Sequence, residues 1–256
     1  MNRAQKKIPE NYIFYLASLG SFVLLILIVY LFPVEFSGYR ITDASAPVWY
    51  LLTMTGGILG GSFIIIALLF YLIIHFKKKS KKIKNVYLFI GIVFIIQIII
   101  TGSTLLYFKE VFHQTRPSQL YFIEKGLIEN EGRDYFAMSP DKKINYLQSK
   151  IEKNKKILED VYPPILNSWV NDNGYSFPSG HAQTSFFLGT ILAFVIYKTS
   201  SNKYYIFIPL IWAVLVAVSR VVIGIHFPFD VTVGAFMGLL IGLIVISLKK
   251  IKAIFN

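Results

Sequence analysis

The chain is expected to fold as an all-α polytopic membrane protein, six transmembrane helices with an extramembrane helical segment between the third and fourth. Three observations predict this. Hydrophobic residues make up 55% of the 256 positions. Apolar runs near 12–32, 49–76, 86–108, 181–197, 204–222 and 231–248 approach or exceed the roughly twenty residues that cross a hydrocarbon core of about 30 Å. Apart from Arg220, charge is gathered between these runs, not within them. The absence of cysteine excludes disulfides, thiolate metal sites and a cysteine nucleophile.

The first run follows Arg3, Lys6 and Lys7. It is too long for the core of a signal peptide and has no small-residue cleavage site, so it is expected to remain as an anchor. The second run holds Gly56, Gly57, Gly60 and Gly61, and the sixth holds Gly234, Gly238 and Gly242. Such near-helical spacing of small residues points to close helix packing. The third run leads into Lys109, with Arg116-Pro117 about two turns further on. Both cations are therefore expected on one helix face, with the proline ending the helix.

The one large polar segment is 118–177. Within it, Ser139-Pro140-Asp141 has the marks of a helix start: a hydroxyl cap, a proline in the first turn and an acid beside the dipole. Ile144, Leu147, Ile151, Leu158 and Val161 recur at roughly helical spacing, and Pro163-Pro164 is expected to stop the run. This amphipathic helix suits covering the bundle or resting on the lipid surface. The remaining loops are short, which leaves a single membrane-embedded domain over 1–256 with 118–177 as an outer-face insertion.

Six spans put both termini on one side. That side collects Arg3, Lys6 and Lys7 against Glu10, then Lys77, Lys78, Lys79, Lys81, Lys82 and Lys84, and finally Lys198, Lys203, Lys249, Lys250 and Lys252. The other side is close to neutral, since 109–172 carry ten basic and ten acidic residues. Nearly all of the net charge of +12 therefore lies beside the termini, and the positive-inside rule makes that side cytoplasmic. The lysines of 77–84 read as a topology determinant beside anionic headgroups, not as a nucleic-acid surface. No obligate protein partner is implied.

The residues with catalytic potential map to the opposite, outer face. Phe177-Pro178-Ser179-Gly180-His181 turns a polar loop into the fourth span. Gly180 permits close approach of a ligand, and the amides of Ser179, Gly180 and His181 open a helix, which favours an anion. His181 at that opening can donate a proton to a departing oxygen. Arg220 ends an otherwise apolar span, and ionisable groups persist there when paired or functional. His226 and Asp230 are four apart. A carboxylate on one imidazole nitrogen fixes the tautomer and leaves the other nitrogen free to attack.

Each feature alone has a plain structural explanation: interfacial cations at Lys109 and Arg116, a satisfied interfacial histidine, a His–Asp contact that closes a loop. Together on one face they form the set needed to hold a phosphate, attack it and protonate what leaves. His75 and His113 lie outside this set and are given no catalytic role.

The three stretches, Lys109-(six residues)-Arg116-Pro117, Pro178-Ser179-Gly180-His181 and Ser219-Arg220-(five residues)-His226-(three residues)-Asp230, resemble in this order the type-2 phosphatidic acid phosphatase superfamily, which shares its site with vanadium haloperoxidases. The approach Asn167-Ser168-Trp169 through Gly174-Tyr175-Ser176-Phe177 resembles the bacterial phosphatidylglycerophosphatase B branch, as do the six spans and the long charged segment. The resemblance implies that His226 is the nucleophile and forms a phosphohistidine, oriented by Asp230. It implies that His181 protonates the leaving oxygen and later activates water, while Lys109, Arg116, Ser179, Gly180 and Arg220 hold the phosphoryl oxygens. No metal and no cofactor are implied.

The expected activity is removal of a terminal phosphate from a membrane lipid phosphate or diphosphate at the outer face of a bacterial cytoplasmic membrane. Phosphatidylglycerophosphate, phosphatidic acid and undecaprenyl diphosphate are the implied substrates. The same site also suits a lipid A phosphatase, or a phosphotransferase that passes the phosphate to a lipid or sugar. A non-catalytic lipid transporter or binding protein is a third reading, and the intact His181, His226 and Asp230 argue against it.

Overall fold

The computed structural model describes residues 12–32, 44–77, 80–172 and 174–255. Arg3, Lys6, Lys7, Glu10, Lys78 and Lys79 of the charge pattern lie outside the described residues. Among those described, all regular structure is helical, and six helical stretches are long and apolar enough to cross a membrane.

The first span is α1 (Tyr12–Leu31). The expected second span is two helices, α2 (Ala46–Thr55) and α3 (Ile58–Phe76), and only α3 has the length of a span. The chain turns at Gly56-Gly57, where the Gly56 amide donates to Thr53 O at 3.1 Å. A Cβ on Gly56 would lie 2.3 Å from Cγ1 of Val216, so close approach of another helix demands glycine there.

The third span runs from α4 (Ser80–Ser103) through a π-helical turn at Thr104–Phe108 into α5 (Lys109–Phe112). Lys109 and Arg116 do not share a helix, contrary to what their spacing suggested. His113, in the left-handed region at φ 48°, closes α5, and Pro117 opens α6 (Pro117–Glu124) with Arg116 as its cap. Proline's fixed φ and missing amide suit a first helical turn as well as the position beyond an end.

The insertion continues through α7 (Arg133–Phe136), α8 (Pro140–Lys153) and α9 (Pro163–Asn171). α8 starts where the sequence placed it, but the Ser139 hydroxyl makes no capping bond. The Ser139 carbonyl accepts from Lys143 N–H at 3.0 Å instead. The apolar series is split, because α8 ends at Asn154 and Pro163-Pro164 begins α9 instead of stopping a run. Phe122, Leu127, Tyr135, Leu147, Ile165 and Trp169 form a core that takes in Ala46, Ile223 and Ile225 of the bundle. The insertion therefore packs down onto one end of the bundle.

The last three spans are α10 (Gly180–Thr199), α11 (Phe207–Val222, entered through a 3-10 turn at Lys203–Ile206) and α12 (Pro228–Ser247). A short α13 (Lys249–Phe255) follows. α10 is buried along most of its length, whereas Leu19, Phe63, Phe70 and Ile98 on other spans point outward, as lipid-facing residues do. A Cβ on Gly234, Gly238 or Gly242 would meet Ser179 O at 2.4 Å, Gln183 O at 2.1 Å and Thr190 Cβ at 2.9 Å. α12 therefore lies directly on the α10 backbone, as the glycine spacing implied.

At the far end of the bundle Phe14, Phe76, Val86, Phe194, Ile206 and Ile254 form a second core. The helix ends that carry Lys77, Lys198, Lys203 and Lys249 gather there, away from the insertion.

Gly238→Val is expected to force α10 and α12 apart and to lower stability by about 1–3 kcal/mol, read as a lower thermal unfolding temperature in detergent. Gly91→Ala is the contrast: its Cβ meets nothing within 4 Å, so unfolding should stay put or shift slightly upward.

Candidate active site

His226 sits in the loop between α11 and α12, and the backbone of that loop is held from three sides. Trp169 Nε1–H donates to Ile223 O at 2.7 Å, Ser118 N–H to Gly224 O at 2.8 Å, and Arg116 Nη1–H to Ile225 O at 3.1 Å. Gly224 has φ 72°, a conformation that favours glycine. The amides of Ile225 and His226 both donate to Arg220 O at 3.1 Å.

The imidazole is fixed in turn. Its Nδ1 lies 3.4 Å from Asp230 Oδ2 and 3.4 Å from Ser176 Oγ. The Ser176 hydroxyl donates to the same Asp230 oxygen, and Phe227 N–H donates to it at 2.9 Å. An ionised carboxylate only accepts, so Nδ1 carries the proton and Nε2 keeps its lone pair. Among the described residues Nε2 has no hydrogen-bond partner, and His226 lines a pocket of about 110 Å³. Burial, aided by the Arg116 and Arg220 charges, pushes the His226 imidazole well below its ordinary 6.5, so it is neutral at neutral pH.

Gly56, Gly57 and Ile58 form one wall of that pocket, and Thr101, Thr104 and Lys109 of the third span form another. Gly180 and His181 of α10 complete it with Asp172, Arg220 and His226. The π turn is tied to α10 by Thr104 Oγ1–H donating to Gln183 Oε1 at 2.6 Å. Its wider turn changes the rotation of the helix that follows, which begins at Lys109.

Of the sequence-derived residues, Lys109, Gly180, His181, Arg220 and His226 line one pocket. Ser179, Asp230 and Arg116 stand behind its wall. Ser179 caps α10, its Oγ accepting from Ala182 N–H at 3.4 Å, and its own amide donates to Asp230 O at 3.1 Å. Arg116 is 1% exposed, and its guanidinium is spread over Gly174 O at 2.8 Å, Ile225 O and Asp172 Oδ1 at 2.6 Å.

Asp172 was not singled out by the sequence. One carboxylate oxygen takes Arg116 and the other takes Arg220 Nη2 at 3.2 Å. Burial opposes its ionisation, but the fields of Arg116, Lys109 and Arg220 outweigh that and hold the carboxyl well below the usual carboxylate range. Ser176 and Thr53 were missed as well; Thr53 Oγ1 accepts from Arg220 Nη1–H at 2.9 Å. Charge balance was the available signal for Asp172: three cations faced a single named carboxylate. Nothing local, however, distinguishes Asp172 from the other acids of the insertion.

A bundle of membrane-length apolar helices in which Lys109, Arg220, His181 and His226 share one pocket fits an integral-membrane phosphatase. The chain belongs to the PAP2 superfamily, whose model matches residues 86–252. It is 28% identical over 212 residues to phosphatidylglycerophosphatase B of Haemophilus influenzae, an alignment covering 80% of this chain and 83% of that one. Phosphatidylglycerophosphatase B of Bacillus subtilis is 36% identical over 104 residues, which cover 38% of this chain and 51% of the relative.

Asp172→Asn leaves Arg116 and Arg220 short of their shared counter-charge, and stability should fall by about 1–3 kcal/mol. If an oxyanion can take the carboxylate's place, inorganic phosphate should restore the thermal unfolding temperature of the variant more than it raises that of the wild type. Unfolding scans with and without phosphate check this.

Proposed function

We propose that the protein removes the terminal phosphate of a lipid phosphate or diphosphate through a phosphohistidine at His226. The observation that carries this reading is the Ser176–Asp230–His226 chain, which leaves Nε2 without a partner among the described residues, in a pocket shared with Lys109, Arg220 and His181. Nε2 attacks phosphorus, an N–P bond forms, and the P–O bond to the lipid breaks. His181 gives its proton to the leaving oxygen. Neutral His181 then takes a proton from water, whose oxygen attacks phosphorus, breaks the N–P bond and releases inorganic phosphate. Two displacements replace one harder step.

Lys109, Arg220 and the Gly180 amide hold the equatorial oxygens, with Ser179 fixing the start of α10. Arg116 reaches the phosphate once the Asp172 carboxylate gives way to it. Catalysis of this kind rests on positioning and on neutralising those oxygens. Phosphatidylglycerophosphate, phosphatidic acid and undecaprenyl diphosphate are the substrates to offer. The lysine-rich end faces the cytoplasm with both termini, and the pocket faces the outside of a bacterial cytoplasmic membrane.

The test is phosphate release by detergent-purified protein, with EDTA present and no acceptor added. Wild type should release phosphate from at least one of the three lipids, and His226→Ala should lose activity by at least about 10⁴-fold with its unfolding temperature retained. Phosphate that appears only when an acceptor lipid or sugar is supplied would make the protein a phosphotransferase.

The pH profile supplies a second test. The nucleophile works when neutral, and its proton affinity is depressed below 6.5. The acid limb of kcat/KM should therefore lie below pH 6.5 instead of at it.

A further inference from the structure

We propose that the break in the second span is a working part of the site, with Thr53 and Gly57 as positioning residues for Arg220 and His181. This rests on the phosphatase reading above. Both residues lie outside 86–252, the part of the chain that matches the PAP2 model, and neither belongs to the three motifs.

Thr53, in the last turn of α2, is 2% exposed, and its hydroxyl oxygen accepts from Arg220 Nη1–H at 2.9 Å. Arg220 Nη2 goes to Asp172, and Nε is buried without a partner among the described residues. The planar guanidinium is therefore aimed by two groups, and only Thr53 stays in place when phosphate displaces the carboxylate.

Gly57 acts through the space it leaves. A Cβ there would lie 3.2 Å from His181 Nε2 and 3.9 Å from Cε1. Its φ is −75°, which any residue adopts, so the backbone does not demand glycine. What glycine preserves is the volume beside Nε2. A leaving oxygen must stand about 2.6–3.2 Å from the nitrogen that protonates it, and a methyl group at Gly57 occupies that distance. An alkoxide needs the proton to depart, whereas an acidic phenol leaves without it. Crowding at Gly57 should therefore be felt according to the leaving group.

The experiment compares Gly57→Ala, Thr53→Val and Gly61→Ala with wild type. The substrates are phosphatidic acid and p-nitrophenyl phosphate, with orthovanadate as inhibitor. Gly61→Ala is the steric control, since its Cβ meets Thr184 Cγ2 at 3.2 Å, the same clearance against a different neighbour. Gly57→Ala should lose about 10²-fold on the lipid and less than about tenfold on the aryl ester, with orthovanadate inhibition held. The ratio of the two rates cancels the amount of folded enzyme. Thr53→Val should raise KM for both substrates and weaken orthovanadate about tenfold, with kcat nearly unchanged. Gly61→Ala should move the two substrates in parallel.

Equal loss on both substrates in Gly57→Ala, or unchanged KM and orthovanadate inhibition in Thr53→Val, overturns the proposal. Full activity in His226→Ala instead overturns the phosphohistidine reading on which it rests.

Discussion

Three consecutive carbonyls, those of Ile223, Gly224 and Ile225, hold this structure's chemistry in place. Each is met by a donor from outside its own loop: the Trp169 indole, the Ser118 amide and the Arg116 guanidinium. A buried hydrogen bond contributes only about 1 kcal/mol net, but an orphaned buried partner costs about 1–3 kcal/mol. The loop consequently has one arrangement that satisfies it, and His226 inherits that arrangement. The donors belong to the insertion and the turn before it, so the extramembrane core of Phe122, Leu147, Ile165 and Trp169 supports the site directly. Packing outside the membrane thus decides where an imidazole points at the membrane's edge.

The bundle supplies the opposite wall by close approach. α12 lies on α10 along Gly234, Gly238 and Gly242, which brings the Asp230 end of one helix against the Ser179 end of the other. Ser179 N–H donating to Asp230 O joins two motifs far apart in sequence. A larger side chain anywhere on that seam would separate Ser179 from Asp230. Helix packing and the geometry of the candidate site are here the same contact.

Hydropathy made the spans legible because lipid imposes one length on all of them. The three motifs were legible because each is local: a helix start, a span end, a four-residue spacing. The errors have a common cause in backbone events that a periodic pattern does not encode. Gly56-Gly57 reads as one more small-residue pair in an apolar run until Val216 and His181 press against it. Pro117 and Pro163-Pro164 mark helix boundaries, but proline is equally at home after an end and in a first turn, so they were assigned to the wrong side. The π turn at Thr104–Phe108 has no sequence mark at all. Asp172, Ser176 and Thr53 were missed because their partners are separated from them by 48 to 167 residues.

Charge accounts for the resting state of the pocket. Lys109, Arg116 and Arg220 are buried together, and unpaired cations at that depth are costly. Asp172 bridges the two guanidiniums with its two oxygens, while Lys109 lines the same pocket with no carboxylate partner among the described residues. In the proposed reaction, a phosphate that enters would bring more charge and more oxygens than Asp172 does and would meet Lys109 as well as the arginines. On the proposed reaction, exchange of carboxylate for phosphate would leave the guanidiniums paired throughout. The other contacts of these side chains are Thr53 on Arg220, Gly174 and Ile225 on Arg116, and Asp230 on His226. These contacts hold the geometry of the site, and the proposed reaction exchanges only the carboxylate of Asp172.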